Sequence, residues 1–145
     1  MKKEIILKKI TKNDHIFLYE LLESRDPKIN ISHKSMPSFK EHVKFVKSKP
    51  YISWYVIIFE KSKIGSVYLS KQNEIGIFVL KEFRGNKFGQ LALNKLIEIN
   101  PCDRYLANIN PKNLKSINFF KNNKFKLIQH TYELTSRKKS HEEKN

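Results

Sequence analysis

Between Glu74 and Gln90 the sequence sets an apolar run, a short loop carrying glycine and two cations, and the start of an amphipathic helix. Glu74 to Leu80 reads as a strand, and Phe88, Leu91, Ala92, Leu96 and Ile99 fall on one side of a helix over Phe88 to Ile99. The loop Arg84-Gly85-Asn86-Lys87 therefore leads straight into a helix start. The first amides of a helix have no intrahelical acceptor, and the macrodipole adds partial positive charge there. Gly85 and Gly89 let a pyrophosphate approach the backbone closely, while Arg84 and Lys87 add formal charge. The chemistry on offer is anion binding. Neither Gly-x4-Gly-Lys-Ser/Thr nor Gly-x-Gly-x-x-Gly is present, so this spacing alone leaves a plain tight connection equally open.

A second polar constellation follows. Asn108-Ile109-Asn110-Pro111-Lys112-Asn113 is an Asn-rich turn after a strand over Tyr105 to Ile109, and Asn113 caps a short helix through Asn122. Together the two segments resemble the GCN5-related N-acetyltransferase (GNAT) family. Its cofactor motif, Arg/Gln-x-x-Gly-x-Gly/Ala at a strand-to-helix turn, aligns with Arg84-Gly85-Asn86-Lys87-Phe88-Gly89. Its next motif, Asn-x-x-Ala/Ser-x-x-Phe-Tyr-x-x-x-Gly-Phe, aligns with Asn113, Ser116, Phe119, Phe120, Lys124 and Phe125. The resemblance covers the order of elements from about Lys3 to Leu134, and two motifs at the right separation give it its specificity.

The resemblance implies acetyl-CoA as co-substrate, its pantetheine arm lying where the fourth strand splays from the fifth. It implies backbone pairing of Phe78, Val79 and Leu80 with that arm, one N–H near Phe78 and Val79 serving the oxyanion. Pyrophosphate contacts are implied for Arg84 and for the backbone of Gly85, Asn86, Lys87, Phe88, Gly89 and Gln90. Asn110 and Asn113 are implied beside the pantetheine, although Asn113 serves equally well as a plain helix cap. Glu74 opens the strand beside the gap, where several family members use a carboxylate as base. A basic surface and Arg25 suit a second anionic ligand.

Three positions depart from the family pattern. Lys87 stands at the middle glycine of the cofactor motif; if it takes positive φ it costs about 1 kcal/mol relative to glycine. Lys124 replaces the glycine before the last phenylalanine, a turn change. Phe120 stands where a tyrosine usually protonates the departing thiolate, and a phenyl ring has no proton to give. A thiol with a pKa near ~8.5 leaves fairly well as thiolate, whereas general acid help is worth roughly 10²–10⁴-fold. Slower chemistry or another donor is expected, with Tyr51, Tyr55, Tyr132 and Ser116 as candidates. An acetyl-CoA-binding module with little catalysis is the alternative.

The resemblance implies that the first two helices and their connecting loop hold the acceptor determinants. Arg25-Asp26-Pro27, Ile31-Ser32-His33 and Ser38 to Phe45 resemble amino-sugar-nucleotide N-acetyltransferases of the pseudaminic-acid type, and also ribosomal-protein N-terminal acetyltransferases. Arg25 and His33 are the candidate substrate contacts, for a nucleotide-linked amino sugar. An amine with a pKa near ~8 needs less help from a base than a lysine at ~10.4. His42 falls on the apolar face of its helix and reads as a structural residue.

These residues need a scaffold, and the pattern supplies one. Lys3 to Ile10 is a strand, Thr11 and Asp14 cap a helix that ends at Asp26-Pro27, and Ser38 caps a second that Lys49-Pro50 stops. Trp54 to Phe59, Ile64 to Ser70 and Glu74 to Leu80 form a meander; Phe125 to Ile128 and Thr131 to Leu134 read as a closing hairpin. The order predicts an α+β, three-layer fold around a mixed, mainly antiparallel twisted sheet, splayed between its fourth and fifth strands. Residues 1–135 form the acetyltransferase domain and 136–145 a polar tail.

The 145 residues suit one domain. No apolar run approaches the roughly 18–20 residues of a membrane span, and Met1-Lys2-Lys3-Glu4-Ile5 shows no export signal, so the expected location is cytoplasmic. Cys102 alone excludes an internal disulfide and a cysteine-built zinc site. The net charge of +15 rests on lysine, with only four arginines, and it is spread along the chain. That pattern fits bidentate nucleic-acid recognition badly, so a nucleic-acid-binding domain is the distant alternative. A homodimer is compatible with the sequence.

Overall fold

The computed structural model describes residues 4–25 and 35–136. Its elements are β1 (Ile6–Lys9), α1 (His15–Glu23), α2 (Phe39–Lys47), β2 (Tyr51–Phe59), β3 (Ser62–Ser70), β4 (Ile75–Val79), α3 (Phe88–Ile99) and α4 (Leu114–Asn122). The strands form one antiparallel sheet in the order β1-β2-β3-β4. Glu60 and Lys61 both take positive φ between Phe59 and Ser62, the two-residue turn whose twist matches the paired strands.

Period-two alternation splits the sheet into two jobs. Tyr55 and Ile57 of β2, Val67 and Leu69 of β3 and Ile75 of β4 bury one face against Phe88, Ala92, Leu93 and Leu96 of α3. On the opposite face Trp54, Phe78 and Leu80 meet Leu18 and Leu21 of α1 and Val46 of α2. Each fully buried aliphatic side chain contributes about 1.5–3 kcal/mol, so the α3 face dominates the stability of the sheet. These layers are the expected three-layer α+β arrangement.

The forecast caps Thr11 and Ser38 are present as reciprocal boxes, whereas Asp14, at the N-cap of α1, makes no side-chain cap bond. Thr11 accepts from Asn13 N while its own N–H donates to Asp14, and Ser38 accepts from Glu41 N while its N–H donates to Glu41. His42 is buried on the inner face of α2, its ring 5.5 Å from that of Tyr19. No helix among the described residues is long and apolar enough to cross a membrane.

Two forecast strand regions differ. Among the described residues Tyr105 to Ile109 makes a single parallel bridge, Glu74 with Leu106, and no ladder with β4 beyond it. The forecast closing hairpin does not form: residues 125–136 contain neither strand, bridge nor turn. A strand pattern becomes a strand only where an edge pairs with it. His33 and the rest of residues 26–34 lie outside the described residues, as does the tail beyond Ser136.

Asp14 ties three elements together from a buried position. Lys63 of β3 lies 2.7 Å from Oδ1, Lys8 of β1 3.6 Å from Oδ2, and Thr11 N donates to Oδ2 at 2.8 Å. Burial opposes ionisation, but the Lys63 and Thr11 hydrogen bonds and the two ammonium charges outweigh it, holding the carboxyl below its ordinary value. A depressed carboxyl stabilises the fold above its unfolded pKa of about 3.9, and that stability is lost as pH falls through the lower folded value. Asp14→Asn should therefore cost about 3 kcal/mol in urea unfolding at neutral pH, and the gap to the parent should shrink below about pH 3.9 as the parent's Asp14 protonates.

Candidate functional site

The site begins with which way β4 points its backbone. Ser70 N donates to Glu74 O and Leu80 N to Ile64 O, so Glu74, Gly76, Phe78 and Leu80 turn their peptide groups to β3. The alternate residues Ile75, Ile77 and Val79 turn theirs the other way. Ile75 N donates to Leu106 O at 2.7 Å, and Leu106 N to Asn73 O at 2.8 Å. Beyond that bridge the two segments part, and Ile77 and Val79 face the opening. Of the three residues expected to pair with a ligand there, Val79 is oriented to do so, whereas the peptide groups of Phe78 and Leu80 serve β3. Ile77 has the same orientation and was missed, since no side-chain type signals which way a peptide faces.

At the far end of the opening stands the start of α3. After one tight turn, Lys81–Phe83, the chain reaches Gly85 at φ 82° and Lys87 at φ 64°. No atom lies within 4 Å of where a Gly85 Cβ would stand, so only backbone conformation favours glycine there. The same left-handed conformation recurs at Lys124, φ 70°, the other lysine at a family glycine position. Leu91 N makes a helical bond to Lys87 O at 3.1 Å, and the amides before it, among them Gly89 and Gln90, have no intrahelical acceptor.

The side chains forecast around this helix start divide into two sets. Phe88 is buried against Phe59 and Phe83, so it can offer a ligand only its backbone. The Gln90 side chain bridges helices, donating to Asn123 Oδ1 at 2.6 Å, and the Asn86 amide faces the carbonyls of Phe83 and Arg84. Arg84 folds back, its Nε donating to Val79 O at 3.0 Å and its guanidinium 5.1 Å from the Phe78 ring centre. That bond occupies the Val79 carbonyl and leaves its N–H directed to the opening. Gly89, Lys87 and the amides of the first turn are the parts arranged for an anion.

Glu74 sits at the apex, where β4 and the Leu106 segment touch. Ser70 Oγ donates to Oε1 at 3.1 Å and Asn108 Nδ2 donates to Oε2. One donor comes from β3 and one from the far side of the opening, so the carboxylate is oriented by both walls. Asn108 too went unforecast as a contact. Asn113 Oδ1 caps α4 by accepting from Ser116 N, Asn110 Oδ1 accepts from Lys112 N, and Phe120 is buried between Phe119 and Phe125.

Beside Glu74, on the α1/α2 face, Tyr51 and Tyr68 stack with ring centres 3.8 Å apart and planes within 5°. Trp54 stands edge-on to Tyr51 at 4.7 Å. Gly76 makes this possible, because a Cβ there would lie 2.2 Å from Tyr68 ring atoms. Burial first, then Tyr68, pushes the Tyr51 phenol far above its ordinary value, so it stays protonated; Arg25 and Glu74 act on it electrostatically. The Arg25 guanidinium lies 5.8 Å from the Phe78 ring centre, and neither its Nε nor Trp54 Nε1, both buried, has a hydrogen-bond partner among the described residues. Among the candidate acids, Tyr55 is buried on the α3 face with its hydroxyl accepting from Asn100, and Tyr132 is exposed. Tyr51 and Ser116 remain.

The sequence matches the acetyltransferase (GNAT) family over residues 16–125. The chain belongs to that family. Its fold matches a domain from Methanocaldococcus jannaschii DSM 2661 with a TM-score of 0.78 and 24% identity, over 91% of this chain and 94% of that one. It is also similar to the aminoglycoside N-acetyltransferase AAC(6')-Iy in complex with CoA: TM-score 0.69, 15% identity, 94% and 97% covered. A third likeness is RimL, a ribosomal L7/L12 α-N-protein acetyltransferase in complex with coenzyme A: TM-score 0.69, 15% identity, 86% and 81% covered. No curated protein matches the sequence.

This GNAT chain is thus an N-acetyltransferase with acetyl-CoA as co-substrate. The residues present fit that ligand: an extended edge with outward amides for an amide-rich arm, and an uncovered helix start for a pyrophosphate. Lys87→Gly separates conformation from charge at that helix start. The left-handed φ of 64° no longer strains a side chain, so stability should rise by up to about 1 kcal/mol in chemical denaturation. CoA binding by calorimetry should weaken and become less salt-dependent.

Proposed function

We propose that this acetyltransferase acetylates a primary amine by direct attack, with Glu74 as general base, and that the acceptor is an amino sugar carried on a nucleotide. The observation that carries the base assignment is the carboxylate at the apex of the opening, oriented by Ser70 and Asn108. Acetyl-CoA supplies a thioester carbonyl open to attack. Glu74 accepts the proton that the amine must lose, directly or through water. The Val79 N–H, directed into the opening, is the donor for the carbonyl oxygen as charge develops on it, and Ile77 extends the same edge. With phenylalanine at position 120, Tyr51 or Ser116 supplies the proton for the thiolate, or it departs unaided.

The acceptor assignment rests on the surface beside Glu74. Stacked Tyr51 and Tyr68 with Trp54 offer an apolar wall of the kind sugar rings lie against, and Tyr51 offers a hydroxyl. Arg25 and Trp54 each hold a buried N–H that has no partner among the described residues, suited to acceptor oxygens such as the hydroxyls and diphosphate of a sugar nucleotide. His33 is assigned to the same ligand from the sequence.

A mass-shift screen with acetyl-CoA tests the acceptor. Nucleotide-linked amino sugars should gain an acetyl group ahead of free amino sugars, polyamines and N-terminal peptides; preferential modification of a peptide amine would overturn the assignment. Glu74→Gln should lower kcat by about 10²-fold or more while leaving the KM for acetyl-CoA near that of the parent. Unchanged turnover would remove Glu74 as base. Phe120→Tyr should raise kcat if proton delivery to the thiolate limits the reaction.

A further inference from the structure

Two guanidinium groups meet at the ring of Phe78. The ring lies on the α1/α2 face of the sheet, packed against Leu18, Leu21 and Val46. The Arg25 and Arg84 guanidinium carbons stand over it, 5.8 and 5.1 Å from its centre. One arginine comes from the end of α1 and the other from the loop before α3. They are therefore no further apart than those two distances laid end to end, and the ring's electron-rich face attracts each. Among the described residues neither guanidinium forms an ion pair with a carboxylate. Arg25 Nε is buried without a hydrogen-bond partner among them, and Arg84 commits only its Nε, to Val79 O at 3.0 Å.

Two like charges gathered at one ring repel each other, and a buried guanidinium N–H without an acceptor costs stability. An anion between the two removes both costs, because the planar forks match phosphate oxygens with charge-assisted hydrogen bonds of about 2.7–2.9 Å. The place also suits an acceptor. Glu74, Gly76 and Phe78 alternate onto one side of β4, with Glu74 and Phe78 about 13 Å apart along the strand. Between them Gly76 carries no side chain, and the stacked Tyr51 and Tyr68 form the wall. Tyr51 feels the charges of both Arg25 and Glu74. A ligand along this side thus meets a carboxylate at one end and two arginines at the other.

We infer that Arg84 and Arg25 form one anion subsite that holds a diphosphate group of the acceptor, and that Arg84 serves the acceptor and not the pyrophosphate of the cofactor. The inference rests on the proposed acceptor only in requiring an anionic group; it does not require the nucleoside. Arg84 also ties this subsite to the chemistry. Its Nε is anchored on the carbonyl of Val79, the residue whose N–H faces the opening. The anion thereby fixes how far the amine of the acceptor reaches toward the thioester. Lys87, at the start of α3, is left to face the cofactor.

Calorimetric titration of the CoA-saturated full chain with UDP, and separately with inorganic pyrophosphate, tests this while CoA already occupies the helix start. UDP should bind, and Arg84→Gln and Arg25→Gln should each weaken it about tenfold or more with an unchanged far-UV circular dichroism spectrum. Arg84→Gln should leave the Kd for CoA near that of the parent. Lys87→Gln should do the reverse, weakening CoA and leaving UDP bound as before. Arg84→Lys keeps the charge but loses the fork, so it should recover only part of the UDP affinity. Pyrophosphate that binds as tightly as UDP, and is lost with the same variants, would uphold the subsite and remove the nucleotide from the acceptor. Failure of both probes to bind the CoA-saturated protein would overturn the inference. So would an Arg84→Gln variant that loses CoA affinity and keeps UDP affinity.

Discussion

In an antiparallel sheet an edge strand turns every second peptide group away from its neighbour, and the proposed function depends on what meets those groups along β4. Ile75 meets Leu106, and two residues later nothing among the described residues continues the ladder. The single bridge both opens the gap and fixes where it starts. It brings Asn108 over to Glu74 from one side while Ser70 reaches it from the other. Were the ladder to continue, Ile77 and Val79 would be consumed by sheet pairing, and neither a thioester nor its arm would have an edge to lie against.

The same alternation explains how one short strand can serve stability and chemistry together. Ile75 sits in the α3 core, whereas Gly76 and Phe78 look toward α1 and α2. Gly76 leaves room for the Tyr68 ring, and Tyr68 carries Tyr51 on its other face, so a missing side chain on β4 builds an aromatic wall next to Glu74. The strand then ends at Leu80, and after one tight turn α3 presents its uncovered amides. Apex, edge and helix start thus follow one another within about twenty residues, and the rest of the fold holds them in place. Asp14 is an example: far from the gap in sequence, it fastens β1, β3 and the approach to α1 through two lysines.

Side-chain pattern made much of this readable beforehand. The meander, the Thr11–Asp14 capping box, the Ser38 cap, α3 with its bounds and the Asn113 cap all follow from local chemistry, and so does the place of Glu74 at the strand start. Arg84 through Gly89 stood out because glycine and cations at a helix start have a local meaning. What escaped depends on partners. Phe125 to Leu134 has the composition of a strand pair, but pairing needs an edge within reach, which composition does not reveal. Ile77 and Asn108 escaped because peptide direction and a contact across a gap are properties of register. Phe88 and Gln90 sit in the right motif, yet packing turns the first into the core and the second toward Asn123. The charge of +15 proved uninformative for a related reason: its lysines are spread along the surface, and Lys87 is the one at the helix start that a ligand pyrophosphate would meet.

The central claim is that the outward peptide groups of β4 hold acetyl-CoA, and residue-resolved amide hydrogen exchange with and without CoA reads it directly. The amides of Ile77 and Val79 should exchange quickly in the free protein and slow markedly on CoA binding. Those of Gly76, Phe78 and Leu80, already turned to β3, should be slow in both states. CoA binding that leaves Ile77 and Val79 fast, or that slows Phe78 and Leu80 in their place, would contradict the account.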